Sequence, residues 1–251
     1  MRIEVLGCWA PYPRPDEACS GYLVSAGETR ILLDCGHSVF GRLARVTDFR
    51  RLTAVFVSHF HPDHCADLPA LRHAIKGALK DGSRSGRLPV YAPGAPAEDY
   101  SRLASWDDAF EVRRLEDMAG GELTVGAVRV AWVPGEHPLP GYALSCSAGG
   151  RRLVYTGDTA FREEIVAFAA GADLLLAEAS GLEKDLDFLQ GAHMTAAQAG
   201  ETARRAQVRW LSLTHIYPEY DVGRLKAEAA RALGREVLAA SEVRIYELEE
   251  I

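Results

Sequence analysis

The sequence predicts a mixed α/β domain in which helices cover the faces of β-sheets. Short apolar, β-rich runs recur along the chain, and residues 66–80 carry apolar side chains at helical spacing. The C-terminal part then alternates helix-like and strand-like segments. Composition agrees: 48% hydrophobic and 25% charged content over 251 residues is that of an ordinary globular chain. At this length a single domain buries roughly three quarters of its unfolded surface. With no linker and no internal repeat in the pattern, one domain over 1–251 is the economical reading.

The elements follow in order. Residues 2–6, 21–25 and 30–34 read as strands of a sheet assembled from hairpins, with a Pro-rich loop at 10–15. Residues 52–57, Leu-Thr-Ala-Val-Phe-Val, suit a buried strand. Leu68, Leu71, Ile75 and Leu79, three and four apart, place a helix over 66–80. It ends in Asp81-Gly82-Ser83-Arg84-Ser85-Gly86. That loop, within 76–87, reads as a connector, with a lid as the alternative. Strands are expected at 89–92, 111–115, 122–125, 128–133, 142–147 and 152–155. Helices at 162–170, 195–207 and 222–233 then alternate with strands at 172–177, 208–213 and 243–248.

A formal net charge of −7 supplies no global positive field to draw the chain toward a polyanion. Local clusters at Arg45, Arg50 and Arg51, and at Arg84 and Arg87, read as solvated loop charges. The five cysteines are odd in number, widely spaced and without a CxxC pair, which argues against a disulfide framework and a cysteine-only zinc site. They read as small buried residues, including Cys65 beside His64. The first residues alternate like a strand and lack the apolar core of a signal peptide, and no apolar run approaches membrane-spanning length. A cytoplasmic protein without a membrane partner is expected.

The densest chemistry lies in Ser58-His59-Phe60-His61-Pro62-Asp63-His64, just beyond the 52–57 strand. Packing does not require four metal-capable side chains within six positions. Imidazole nitrogens with carboxylate oxygens suit zinc and related divalent ions. Alternation in extended chain puts His59 and His61 on one side and leaves Asp63 and His64 for another position. A di-metal centre needs about six or seven protein ligands. Three further residues also close apolar runs: His137 after 128–133, Asp158 after Leu153-Val154-Tyr155-Thr156-Gly157, and His215 after Trp210-Leu211-Ser212-Leu213-Thr214. Alone, Asp158 could instead cap the following helix.

Together the HxHxDH run, His137, the Tyr-Thr-Gly-Asp-Thr segment and the Leu-Thr-His segment resemble the metallo-β-lactamase fold superfamily over nearly the whole chain. The resemblance implies a four-layer αββα sandwich with a dinuclear site at the sheet edge. It implies that His59, His61 and His137 hold one divalent ion, that Asp63, His64 and His215 hold the other, and that Asp158 bridges them. Zn²⁺ is expected, with Mn²⁺ or Fe as rivals. True metallo-β-lactamases often place a Cys where Asp158 stands, so β-lactam hydrolysis is disfavoured.

A narrower similarity lies in Asp173-Leu174-Leu175-Leu176-Ala177-Glu178-Ala179, in Gly191-Ala192-His193-Met194-Thr195-Ala196 and in His215-Ile216-Tyr217-Pro218. These resemble the ribonuclease Z-like phosphodiesterase branch. The resemblance implies that Glu178 and His193 protonate the leaving oxygen, and that Asp63 both ligates and orients a metal-bridged hydroxide. Against this, His193 could neighbour a helix cap and Glu178 could belong to a buried ion pair. Transfer-RNA-processing members carry a long Gly- and Lys-rich arm between the positions of His137 and Asp158. Here only 136–157 fills that interval, with a turn at Gly149-Gly150. A small phosphodiester, such as a cyclic nucleotide or short oligonucleotide, is therefore expected, and extended nucleic acid is not. The alternatives are a thioester, lactone or sulfate ester hydrolase, a tRNA 3′-processing endoribonuclease, a redox di-iron enzyme or a non-catalytic metal-bound regulator. A homodimer is the branch's common state.

Overall fold

The computed structural model of the chain describes residues 1–241 and 243–249. Fourteen strands and eight α-helices are present among them. The strands are β1 (Arg2–Gly7), β2 (Gly21–Ala26), β3 (Thr29–Leu33), β4 (Ala54–Phe56), β5 (Leu88–Ala92), β6 (Phe110–Arg114) and β7 (Glu122–Val125). They continue with β8 (Val128–Pro134), β9 (Tyr142–Ala148), β10 (Arg151–Tyr155), β11 (Leu174–Glu178), β12 (Trp210–Thr214), β13 (Leu238–Ala239) and β14 (Ile245–Glu247). The helices are α1 (Val39–Val46), α2 (Pro62–Cys65), α3 (Leu68–Lys80), α4 (Ala97–Ala104), α5 (Glu163–Ala169), α6 (Leu186–Leu189), α7 (Ala196–Arg205) and α8 (Val222–Leu233).

Two seven-stranded sheets run β14-β1-β2-β3-β4-β5-β6 and β13-β12-β11-β10-β9-β8-β7. In the first sheet the pattern of period two sorts side chains between two cores. Tyr22, Val24, Ile31, Leu33 and Phe56 of the first sheet share one core with Val130, Leu144, Tyr155 and Leu176 of the second. Tyr22 and Tyr155 meet there at 4.9 Å between ring centres. The alternate residues Leu23, Leu32 and Val55 instead pack with Val39 and Leu43 of α1 and with Leu68, Leu71 and Ile75 of α3. On the far side of the second sheet, α7 and α8 contribute Ala196, Ala199, Ala203, Leu225 and Ala229 to the first core. This is the four-layer αββα sandwich.

The hairpins expected at the N-terminus are present as antiparallel β1-β2 and β2-β3 pairs, but from β3 onward the sheet is parallel. The 52–57 strand is shorter than read, spanning Ala54–Phe56, and the 66–80 helix starts at Leu68 after the separate turn α2. Its buried face carries Ala78 where Leu79 was expected. Helices α1 and α4 escaped the sequence reading because they bury so little: Val39 and Leu43 in one, Leu103 in the other. The 149–150 turn is a two-residue hairpin, with both glycines at positive φ as its twist requires. No helix among the described residues is long and apolar enough to cross a membrane. All five cysteines are free, and burial pushes the thiols of Cys8, Cys19, Cys65 and Cys146 up to about 12. The Cys65 thiol donates to the Phe60 carbonyl and packs with the helix-side core.

Candidate metal centre

The charged residues read from the sequence converge at the strand ends. After β4 the chain is strapped from behind: Asp34 accepts from the Ser58 backbone N–H (2.7 Å) and hydroxyl (2.8 Å). The Asp63 carbonyl accepts from Ser20 and the His64 carbonyl from Cys35. A Cβ at Gly36 would lie 2.0 Å from the Asp63 carbonyl oxygen, so only glycine lets these segments touch. Pro62 opens the one-turn helix α2 at a position where its missing N–H costs nothing, and this turn carries Asp63 and His64. Asp158 follows β10 through Gly157, where a φ of 57° and the 2.8 Å that a Cβ would leave to the Tyr142 carbonyl oxygen both exclude a side chain. His137 follows β8 and His215 follows β12. Asp34 and His215 both take the left-handed backbone conformation that non-glycine residues adopt mainly where surroundings enforce it.

The ligand atoms form overlapping groups. Those of His59, His61, His137 and Asp158 lie within 4.8 Å of one another, as do those of Asp63, His64 and His215, and those of Asp158, His193 and His215. Asp158 joins them: Oδ2 is 3.4 Å from His59 Nε2 and 3.0 Å from His215 Nε2, and Oδ1 is 3.3 Å from His64 Nε2. The ring partners orient the histidines. His64 Nδ1 donates to Asp34 (2.8 Å), His215 Nδ1 to Ser180 Oγ (2.8 Å) and His137 Nδ1 to the Leu139 carbonyl (3.2 Å), leaving each Nε2 for the cluster.

Burial lowers His59, His61 and His137 below the usual histidine range, favouring the neutral ring that ligates a cation. Burial also disfavours charge on His64 and His215, but the surrounding carboxylates, Asp158 first, outweigh it, and His215 is held up at about 10. Asp158, although burial opposes its ionisation, is held well below the carboxylate range by His215, His64 and His59. His64 Nε2 and Asp158 Oδ1 are buried without a hydrogen-bond partner. Orphaned atoms of this kind cost about 1–3 kcal/mol each. Divalent cations would satisfy both, and the imidazole and carboxylate donor set is the one such ions take. The residues fit the metals.

Beside this cluster, Glu178 closes β11 with no exposed surface. It accepts from the Thr159 N–H (2.6 Å) and the Ser180 hydroxyl (2.7 Å). His193 Nδ1 lies 3.2 Å from Glu178 Oε2. Burial opposes its charge, yet Glu178 holds its pKa above the ordinary histidine value. The cap of α7 is Thr195, in a reciprocal pair with Gln198, so His193 is free of that duty. Nor does Asp158 cap α5, whose N-cap is Arg162. The sequence reading missed Asp34, taking it as the last residue of a strand. It nonetheless follows the apolar run Ile31-Leu32-Leu33, the same signal that marked Asp158 and His215.

His61, Asp63, Asp158, His193 and His215 floor a cavity of about 670 Å³, walled by Phe188, Tyr217 and Tyr220. The Pro-rich loop at 10–15 contributes Ala10 and Pro11 to the lining, the segment after His215 contributes the tyrosines, and 76–87 contributes nothing. Instead Arg84 pins that last loop to the Arg50 and Leu52 carbonyls (2.6 and 2.8 Å), as a connector.

Residues 29–216 match the family model of the β-lactamase superfamily domain. A probable metallo-hydrolase of Bacillus subtilis, YhfI, is 31% identical over 98% of this chain and 100% of its own. Its crystal structure, described as a metallo-β-lactamase fold protein, superposes with a TM-score of 0.91 over 98% of each chain at 29% identity. An uncharacterised protein of Mycobacterium leprae is 35% identical over 87% of this chain and 78% of that protein. Ribonuclease Z of a Bradyrhizobium strain is 28% identical over 91% of this chain and 94% of its own. With its fold, its His/Asp cluster and these relatives, the chain belongs to the β-lactamase superfamily and is a metallo-β-lactamase fold hydrolase related to ribonuclease Z.

Proposed function

We propose that the chain, acting as one hydrolase domain over 1–251, is a phosphodiesterase cleaving a small phosphodiester such as a cyclic nucleotide or a short oligonucleotide. The observation that carries this reading is the pair of buried Glu178 and half-buried His193 set against the histidine and aspartate cluster. Thioester cleavage expels a thiolate that leaves without such a proton donor, whereas a departing alkoxide needs one.

His59, His61 and His137 would hold one divalent ion and Asp63, His64 and His215 the other, with Asp158 shared. Zn²⁺ is the expected metal, with Mn²⁺ or Fe as rivals. When bound, two such ions supply charge neutralisation at the phosphoryl oxygens and a water of lowered pKa. Asp63, 5% exposed and in reach of His215 at 3.2 Å, orients the attacking water. Glu178 fixes the charged His193 ring through Nδ1, which turns the other ring nitrogen to the departing oxygen for proton transfer.

Two features support a small substrate over transfer RNA. The stretch between His137 and Asp158 is occupied by the β9-β10 hairpin and its two-residue turn, with no room for an arm. The Bradyrhizobium ribonuclease Z aligns over 282 positions, more than this chain's 251, so that relative carries inserted sequence absent here. The argument for a homodimer rests on the family branch alone.

The test is hydrolysis of bis(p-nitrophenyl) phosphate by metal-analysed protein, with a thioester and a lactone in parallel. Diester cleavage that depends on Asp158 is expected. A faster thioester or lactone rate, or silence from the fully loaded protein, would move the assignment to another ester class or to a binding role.

A further inference from the structure

We infer that Phe188, with Tyr217 and Tyr220, forms a stacking subsite for the flat aromatic base of a nucleoside phosphodiester, an inference that rests on the phosphodiesterase reading above. The metal-ligating floor and this wall belong to one cavity, so a phosphate held over the floor must send one substituent along the wall. None of the cavity-lining residues is a lysine or arginine. A second phosphate, or a run of them, would find no counter-charge there, which excludes polyphosphates and polynucleotide tracks from that direction. The available surface is aromatic instead.

Phe188 is 88% exposed on the short turn of α6, while its neighbour Leu189 is buried. The turn is braced against the tyrosines: Asp185 accepts from the Leu182 N–H (2.9 Å) and from the Tyr220 hydroxyl (2.6 Å). Tyr217 and Tyr220 meet edge to face at 5.5 Å between centres. Such a wall is preformed, and aromatic faces bind bases because every base has a π-face. The Asp185 carboxylate, which lines the cavity and uses only Oδ2 in the brace, offers a polar group to the base edge that an acyl chain could not use. The volume of about 670 Å³ is of the size that encloses one small ligand, here a mononucleotide.

The experiment compares metal-loaded wild type, Phe188→Ala and Phe188→Tyr on 3′,5′-cyclic AMP and on a cyclic phosphodiester of glycerol that lacks a base. Calorimetric titration with adenosine 5′-monophosphate gives a readout independent of turnover. Losing a stacked base predicts a KM for cyclic AMP raised roughly tenfold in Phe188→Ala. kcat should be unchanged, as for binding common to ground and transition states. Nucleotide affinity should weaken in parallel, the glycerol substrate should be unaffected, and Phe188→Tyr should behave as wild type. Equal effects on both substrates, no effect on either, or preference for an acyl-chain diester would overturn the subsite while leaving the phosphodiesterase reading intact. Wild type that cleaves a thioester or lactone but no phosphodiester would overturn both.

Discussion

The floor of the cavity carries side chains withdrawn from water, with Asp158 at 4% exposure and His215 at 5%, whereas its wall carries Phe188 at 88%. In the cluster beneath, three histidines are held from behind by a second group: Asp34 behind His64, Ser180 behind His215, Leu139 behind His137. The wall's braces lie nearer solvent: the Tyr220 to Asp185 hydrogen bond (2.6 Å) and the long, exposed Tyr12 to Tyr217 hydroxyl contact (3.4 Å). A site that must fix reacting atoms to a fraction of an ångström needs the first kind of construction. A surface that only receives a substituent manages with the second. The difference predicts that floor substitutions act on metal and chemistry together or on chemistry alone, and that wall substitutions act on binding.

The largest effect should come from Asp158→Ala, which removes the residue in contact with both ligand groups. Metal analysis should show loss of bound ion, and diesterase activity should fall to background. Retention of the full metal complement would break the assignment of Asp158 as the shared ligand. Next in size, His193→Ala should keep its metal but lose roughly 10²–10⁴-fold in kcat, the range of a positioned general acid. If turnover survives, the proton comes from elsewhere. If metal is lost as well, His193 belongs to the third ligand group with Asp158 and His215, and the floor extends further than the present division allows.

How much of this was legible in the sequence follows the same division. Floor residues announce themselves because each ends a buried strand, and a His or Asp just beyond an apolar run has little packing reason to be there. That signal found His59, His61, His137, Asp158 and His215, and would have found Asp34 had it been applied to Ile31-Leu32-Leu33. The wall gave no such signal. Phe188 in Asp185-Leu186-Asp187-Phe188-Leu189 reads as one more apolar residue, since nothing local says that Leu189 turns inward and Phe188 outward. Helix α6 spans only Leu186–Leu189, too short for periodicity to declare a face. That helices cover sheet faces was readable from strand and helix patterns, while the four layers came from the family resemblance. The switch from hairpins to parallel pairing after β3 was not, because it depends on which strand each crossover returns to.

A third substitution probes the support beneath the floor. Asp34 accepts four hydrogen bonds, from the Ser58 N–H and hydroxyl, from His64 Nδ1 and from the Tyr155 hydroxyl (2.8 Å). Asparagine fits the space but replaces one acceptor with a donor, so the His64 ring loses its orienting charge. Asp34→Asn should weaken metal affinity by roughly 10- to 100-fold, the usual cost of losing a ligand's outer partner. Chelator competition would measure it, and an unchanged affinity would mean that packing alone orients His64.

The smallest effect, and the sharpest contrast, compares adjacent residues of the wall. Leu189 is 5% exposed and lies so close to Gly181 that a Cβ there would approach its Cδ1 to 2.8 Å. Leu189→Ala therefore leaves a void and should cost about 2 kcal/mol, the low end for buried leucine at a site that can partly collapse. For a domain of this size that corresponds to a Tm lower by roughly 4–8 °C. Phe188→Ala removes a ring already in water and should leave Tm unchanged. Thermal denaturation of the two variants side by side reads the difference directly. A fall for Phe188→Ala comparable with that for Leu189→Ala would mean that the ring spends its time folded onto the wall, making this turn a cover that substrate must displace.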